Sequence, residues 1–249
     1  PAGGRDLGGD TVVVRGDGAV SGKRGRGLGP GTSMPPKPPL RDVLDVSLHP
    51  GWVTRWLSGR KMTWGTYDID GRAIRMAEMS GWMERNENPR ATWEDVARIR
   101  RQWNGKLLVK GIMTPEDAEL ALAHGADGVF VSNHGGRQFD GQPGTFDVLP
   151  SIADAVNGRG AVVVDGGVRR GSDVVAALSA GADVVAAGRP FAYGLSAGGR
   201  NGVARVFEIL AEELETAMGF VGATSVATLG GAGVFHSSGS RSPGTINPS

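Results

Sequence analysis

A chain of 249 residues is long enough for one α/β barrel, since such barrels typically need about 250 residues. A net charge of +1 excludes a general nucleic-acid or polyanion binder, which would carry a strong basic excess. The absence of cysteine excludes disulfides, a thiol nucleophile and any cysteine-based metal site; it fits a reducing compartment, so a cytoplasmic location is expected, and no metal is.

In chain order, the first feature is glycine. The sequence holds 42, more than twice the usual share of about 7%, and 11 of them precede Thr32, where they interrupt what should be a strand and its following loop. Residues 1–61 carry ten Lys or Arg against five Asp or Glu, so a local anion site near the start is expected. No signal-peptide pattern and no apolar run of membrane-spanning length is found. The chain opens on Pro1, which is expected to lie inside a longer reading frame.

Residues 32–91 differ in character, with Pro35, Pro36, Pro38 and Pro39 followed by Trp52, Trp56, Trp64 and Trp82 among charges. They read as a long insertion between a strand and its helix. Their Trp, Met and Arg content suits a membrane interface or a partner surface, and equally suits tryptophans packing a large loop onto the barrel.

From Thr92 onward, short apolar runs alternate with capped helical patterns, as in βα units of a parallel sheet. Thr92 to Asp95 reads as a capping box opening a helix with Val96, Ile99 and Trp103 on one face. Leu107 to Lys110 is a short buried strand. Thr114, Pro115, Glu116 and Asp117 start another helix, with proline at the first helical position and acids at the positive end of the dipole, and Gly125 ends it. Strands follow at Gly128 to Ser132, Ala161 to Asp165 and Val184 to Ala187. Ala121, Leu122, Gly125, Ala126, Asp127 recurs as Ala177, Leu178, Gly181, Ala182, Asp183, each copy ending a helix and launching a strand. Val203 to Met218 reads as a long amphipathic closing helix, and residues 236–249 as a disordered tail.

Polar residues gather at the C-terminal ends of these strands: Lys110, Ser132 to His134, Asp165, and Gly188 with Arg189. Parallel α/β folds place their sites there. Ser132, Asn133, His134, Gly135, Gly136, Arg137 is the most informative run. A histidine can take a proton near neutral pH, an arginine three residues on can hold a carboxylate through two hydrogen bonds, and the glycines let backbone approach a ligand. The Asp165, Gly166, Gly167 turn with Arg169, and Gly188 with Arg189, supply backbone N–H groups and guanidinium groups suited to a phosphate dianion.

The run S-N-H-G-G-R-Q-x-D at Ser132 to Asp140 resembles the active-site signature of the FMN-dependent L-2-hydroxyacid dehydrogenases and oxidases. Leu107 to Gly111, Asp165 to Gly171, and Gly188 to Pro190 resemble further segments of that family in the same order. The resemblance implies a (β/α)8 barrel that binds FMN and oxidises a small L-2-hydroxy acid, L-lactate-like, to the 2-oxo acid. It implies that His134 is the general base and Arg137 a carboxylate ligand, that Lys110 and Ser132 lie by the flavin, and that Asp165, Gly166, Gly167, Arg169, Gly188 and Arg189 form the phosphate-binding segments.

Upstream, Asp17 matches the aspartate that orients the histidine, and Arg24 a second carboxylate ligand. Arg15 and Gly16 depart from the family pattern there. The implied partners are the hydroxy acid and a quinone, cytochrome or oxygen as electron acceptor, with no nucleic acid, a homo-oligomer in the full-length form, and peripheral contact with the inner face of the plasma membrane. Counting family landmarks, residues 1–235 are expected to supply strands 4 to 8, with strands 1 to 3 absent. A second reading follows from that count, in which the chain is an inactive remnant that binds FMN poorly.

Overall fold

The structure, a computed structural model, describes residues 11–15, 40–59, 63–69, 72–75, 78, 82, 91–136, 139 and 141–230. They fall into two compact units, with the division at Ala19–Arg90.

The larger unit is an α/β fold built on a parallel sheet. β1 (Thr11–Arg15), β4 (Lys106–Ile112), β5 (Gly128–Val131), β6 (Ala161–Val164) and β7 (Val184–Val185) lie in the order β1-β4-β5-β6-β7, and every neighbouring pair is parallel. Sequential neighbours joined by helices are what right-handed βα crossovers produce. The strands read as continuous apolar runs because helices cover them: β6 is buried throughout, and Leu107, Leu108 and Val109 of β4 are buried together.

The helices of this unit are α3 (Trp93–Gln102), α4 (Pro115–Ala123), α5 (Thr145–Val156), α6 (Gly171–Ser179) and α7 (Arg189–Phe220). Local chemistry sets their starts. The Thr92 backbone N–H donates to Asp95 Oδ2 at 2.8 Å, and Thr114 Oγ1 accepts from the Asp117 backbone N–H at 3.1 Å with Pro115 at the first helical position. Val96, Ile99 and Trp103 all pack on the core with Leu107, Val129, Leu149 and Ile152, so the helical face read from the sequence is the one that faces the sheet.

One element differs from expectation: β7 is two residues long where Val184 to Ala187 was expected. α7 is broken at Gly198 and Gly199, which take non-helical conformations, so the closing helix read at Val203 to Met218 lies within its second part, and a separate helical segment from Arg189 precedes the break. Gly188, Arg189 and Pro190 form a helix start in their own right, and the glycine pair interrupts the path to the segment the apolar pattern marks.

The smaller unit contains α1 (Leu40–Ser47), α2 (Pro50–Ser58) and an antiparallel pair, β2 (Thr63–Ile69) with β3 (Arg72–Arg75). Leu40, Val43, Leu44, Leu48, Trp52 and Leu57 are exposed along the two helices and the turn between them. Among the described residues no helix is long and apolar enough to cross a membrane. The tail 236–249 lies outside the described residues.

Candidate active site

Parallel register brings the C-terminal strand ends to one rim. Lys110 of β4 pairs with Phe130, Val131 with Val164, and Val164 with Val185, so Ser132 and Asp165 leave adjacent strands side by side. The register slips between Lys110 and Ile112, where Gly111 takes φ +101°, a bulge that a residue with a Cβ would resist. The glycine after the lysine is therefore part of how the lysine is aimed.

Lys110 Nζ lies 3.0 Å from Asp165 Oδ2, donates to Ser132 Oγ and sits 4.7 Å from the centre of the Phe130 ring. Ser132, fully buried, donates to Asp165 Oδ1 at 2.6 Å and accepts from the backbone N–H of His134 at 3.2 Å. A hydroxyl offers one donor and two acceptor places, and all three are used within the protein. Ser132 is the hub that ties a cation, a carboxylate and the histidine loop together.

His134, half-buried, opens a short left-handed turn: φ is +56° at His134, +69° at Gly135 and +72° at Gly136. A side chain in that region costs about 1 kcal/mol, so the turn needs restraint. Asn133 provides it. Its Oδ1 accepts from the backbone N–H groups of Gly135 at 3.0 Å and Gly136 at 3.2 Å, while its Nδ2 donates to the Pro143 carbonyl at 3.1 Å.

Beyond β6, Gly166 and Gly167 have φ +103° and +79°, which turns the backbone outward at the rim. A Cβ at Gly167 or at Gly188 would meet nothing within 4 Å, so the space over both is open. Arg169 and Arg189 are exposed beside these turns, and Gly188 caps the first turn of α7. Open backbone at a helix start, flanked by guanidinium groups, is a receptor for an oxyanion.

The structure thus brings together Lys110, Ser132, His134 and Asp165 through direct contacts, and puts Gly166, Gly167, Arg169, Gly188 and Arg189 at strand ends of the same sheet. Asp17, Arg24 and Arg137 lie outside the described residues. Two positions were given no role from the sequence. Asn133 carries the signal of an Asx turn, an asparagine directly ahead of residues with positive φ. Thr145, buried at the start of α5, donates from Oγ1 to the Asp165 carbonyl at 2.6 Å, a tertiary contact no local pattern announces. Among the described residues no group of three or more His, Cys, Asp or Glu could hold a metal ion.

An α/β protein that gathers a lysine, a carboxylate, a hydroxyl and an imidazole-bearing turn beside open glycine turns has the form of a phosphate-cofactor enzyme. The chain belongs to the FMN-dependent dehydrogenase family, whose sequence profile matches residues 4–235. It is 43% identical over 195 residues to an L-lactate dehydrogenase of Chromohalobacter salexigens, covering 77% of this chain and 49% of that protein. To an L-lactate dehydrogenase of Ectopseudomonas mendocina it is 40% identical over 223 residues, covering 88% of this chain and 58% of that one. Among solved structures it is similar to the monotopic membrane protein (S)-mandelate dehydrogenase, with TM-score 0.80 and 34% identity over 88% of this chain and 58% of that one. It is also similar to mandelate oxidase, with TM-score 0.60 and 39% identity over 67% and 49%. The chain spans 49% and 58% of the lengths of these two curated relatives.

Proposed function

We propose that this chain carries the flavin and substrate machinery of an enzyme that oxidises an L-2-hydroxy acid, L-lactate or a close analogue, to the 2-oxo acid. The observation that carries the reading is the contact network of Lys110, Ser132, Asp165 and the His134 loop at the C-terminal rim of consecutive parallel strands. We read the five strands as strands 4 to 8 of a (β/α)8 barrel, on the strength of their all-parallel sequential order and the family assignment.

The residues present fit FMN. The Gly166–Gly167 turn, open over Gly167, and the open backbone at Gly188, with Arg169 and Arg189, would hold its phosphate; Lys110, fixed by Ser132 and Asp165, would set a cation against the ring edge where negative charge collects on reduction. When bound, FMN supplies the acceptor for the hydride that leaves the substrate α-carbon. His134 takes the hydroxyl proton as the carbonyl forms, so the two hydrogens leave to separate acceptors. Arg137 and Arg24 hold the substrate carboxylate, and Asp17 stabilises the imidazolium that results.

The electron acceptor in this reading is a quinone or cytochrome, in preference to oxygen, because of the likeness to lactate dehydrogenases and to a monotopic membrane protein. The exposed leucines and Trp52 of α1 and α2 are the proposed contact with the inner face of the plasma membrane, and the full-length enzyme is a homo-oligomer.

The test is anaerobic flavin bleaching in the FMN-loaded chain, with L-lactate, L-mandelate and D-lactate added in turn. The L acids should reduce the flavin, D-lactate should not, and His134→Gln should slow reduction by roughly 10³-fold with flavin retained. Absence of bleaching by every L acid, or reduction at the parent rate in the variant, would contradict the reading.

A further inference from the structure

The segment ahead of α5 touches both strand-end loops of the site. The Pro143 carbonyl accepts from Asn133 Nδ2 at 3.1 Å, and two residues later Thr145 Oγ1 donates to the Asp165 carbonyl at 2.6 Å. The segment is itself pinned to its helix, since the Gly144 N–H donates to Asp147 Oδ2 at 3.2 Å and the Asp147 N–H to the Gly144 carbonyl at 3.1 Å.

On the far side of the first contact lies the His134 turn, held open by Asn133; on the far side of the second lies the Gly166–Gly167 turn. Gly166 lies close against Thr145, where an added Cβ would come within 2.6 Å of Oγ1. Neither Asn133 nor Thr145 is needed to complete a strand or helix ladder. Each instead spans from one element to the next.

We propose that Pro143–Thr145 is a brace, with Asn133 and Thr145 as positioning residues, that fixes the proton-accepting loop relative to the anion-binding glycine turn. Its purpose rests on the flavin-enzyme reading, because the imidazole must face a cofactor anchored by that turn. Its geometry does not.

The distinguishing property of a brace is cross-talk. Asn133→Asp retains an acceptor for the Gly135 and Gly136 N–H groups but loses the donor to Pro143, while Thr145→Val removes the hydroxyl at nearly constant volume. In the 249-residue chain, nuclear magnetic resonance reads the His134 imidazole, assigned by its loss in His134→Gln, together with the Gly166 and Gly167 amides. Asn133→Asp is expected to move the two glycine amides, and Thr145→Val the imidazole signal, each across the brace from its own substitution. Thr145→Ser, which keeps the hydroxyl, should restore the parent positions.

Where FMN binds, each single variant should weaken it about tenfold and the double variant little further, since a brace is broken once. Shifts confined to each variant's own loop, or a double variant about a hundredfold weaker, would overturn the proposal. A parent chain that takes up no FMN and oxidises no hydroxy acid would sink the flavin-enzyme reading alone, and the resonance shifts would still decide the brace.

Discussion

Aspartates stand at both ends of the sheet's strands and do different work. At the N-terminal ends, Asp127 accepts the Leu107 backbone N–H at 2.8 Å and returns its own N–H to the Leu107 carbonyl at 2.8 Å; Asp183 repeats both contacts with Val162 at 2.8 Å each. At the C-terminal rim, Asp165 turns its carboxylate to Ser132 and Lys110. In the first case a side chain satisfies a strand's opening N–H and locks its neighbour's register. In the second, charge is held where a ligand can reach it. One end of the sheet is held by register-locking contacts; the other is the end at which we propose the chemistry.

Replacing Lys110 by Met should separate the two ends most sharply. Flavin reduction by the hydroxy acid should fall by about 100-fold or more, because the cation opposing charge on the reduced ring is gone. Stability to urea should fall too, by about 1–3 kcal/mol, since the pair is only 17% and 25% exposed and Asp165 loses its cation. Asp127→Ala should destabilise without the loss of flavin reduction. It strands the N–H of fully buried Leu107 and releases Arg100, which pairs with Asp127 at 2.9 Å, so a loss of about 2 kcal/mol is expected with FMN affinity unchanged. Comparable flavin loss in both variants would erase the distinction.

The smallest effect concerns acid. Glu213 of α7 is held below its ordinary value by the Gly171 backbone N–H and then by Arg170, tying α7 to the start of α6. A carboxylate lowered in the folded state stabilises above its unfolded value, about 4.3, and that contribution is lost as pH falls through the folded value. Glu213→Gln should therefore lower stability slightly across the neutral range and converge on the parent in acid, flattening the acid limb below pH 5. An unchanged acid limb would show that the contact contributes nothing there.

The two ends were unequally legible in the sequence. β4, β5 and β6 were readable because buried parallel strands are near-continuous apolar runs bounded by capped helices, and the Thr92 and Thr114 caps sit where their residue types require. The recurrence at Asp127 and Asp183 was visible as text, but its cause is a contact to another strand that spacing cannot reveal. α5 went unread, since Pro150 in its interior argues locally against a helix that tertiary packing of Leu149, Ile152 and Val156 sustains. At the site, Lys110, Ser132, His134 and Asp165 were named from motif and strand-end position. Thr145 was not, because a buried threonine bonding a carbonyl 20 residues away has no local pattern.

In the proposed reading the C-terminal rim holds FMN by its phosphate. Equilibrium fluorescence titration of the purified chain with FMN and with riboflavin, which lacks the phosphate, tests it most directly. Saturable quenching is expected, with FMN at least tenfold tighter than riboflavin and a difference that shrinks in Arg189→Ala. Equal affinity for the two flavins, or no binding by the folded chain, would contradict it.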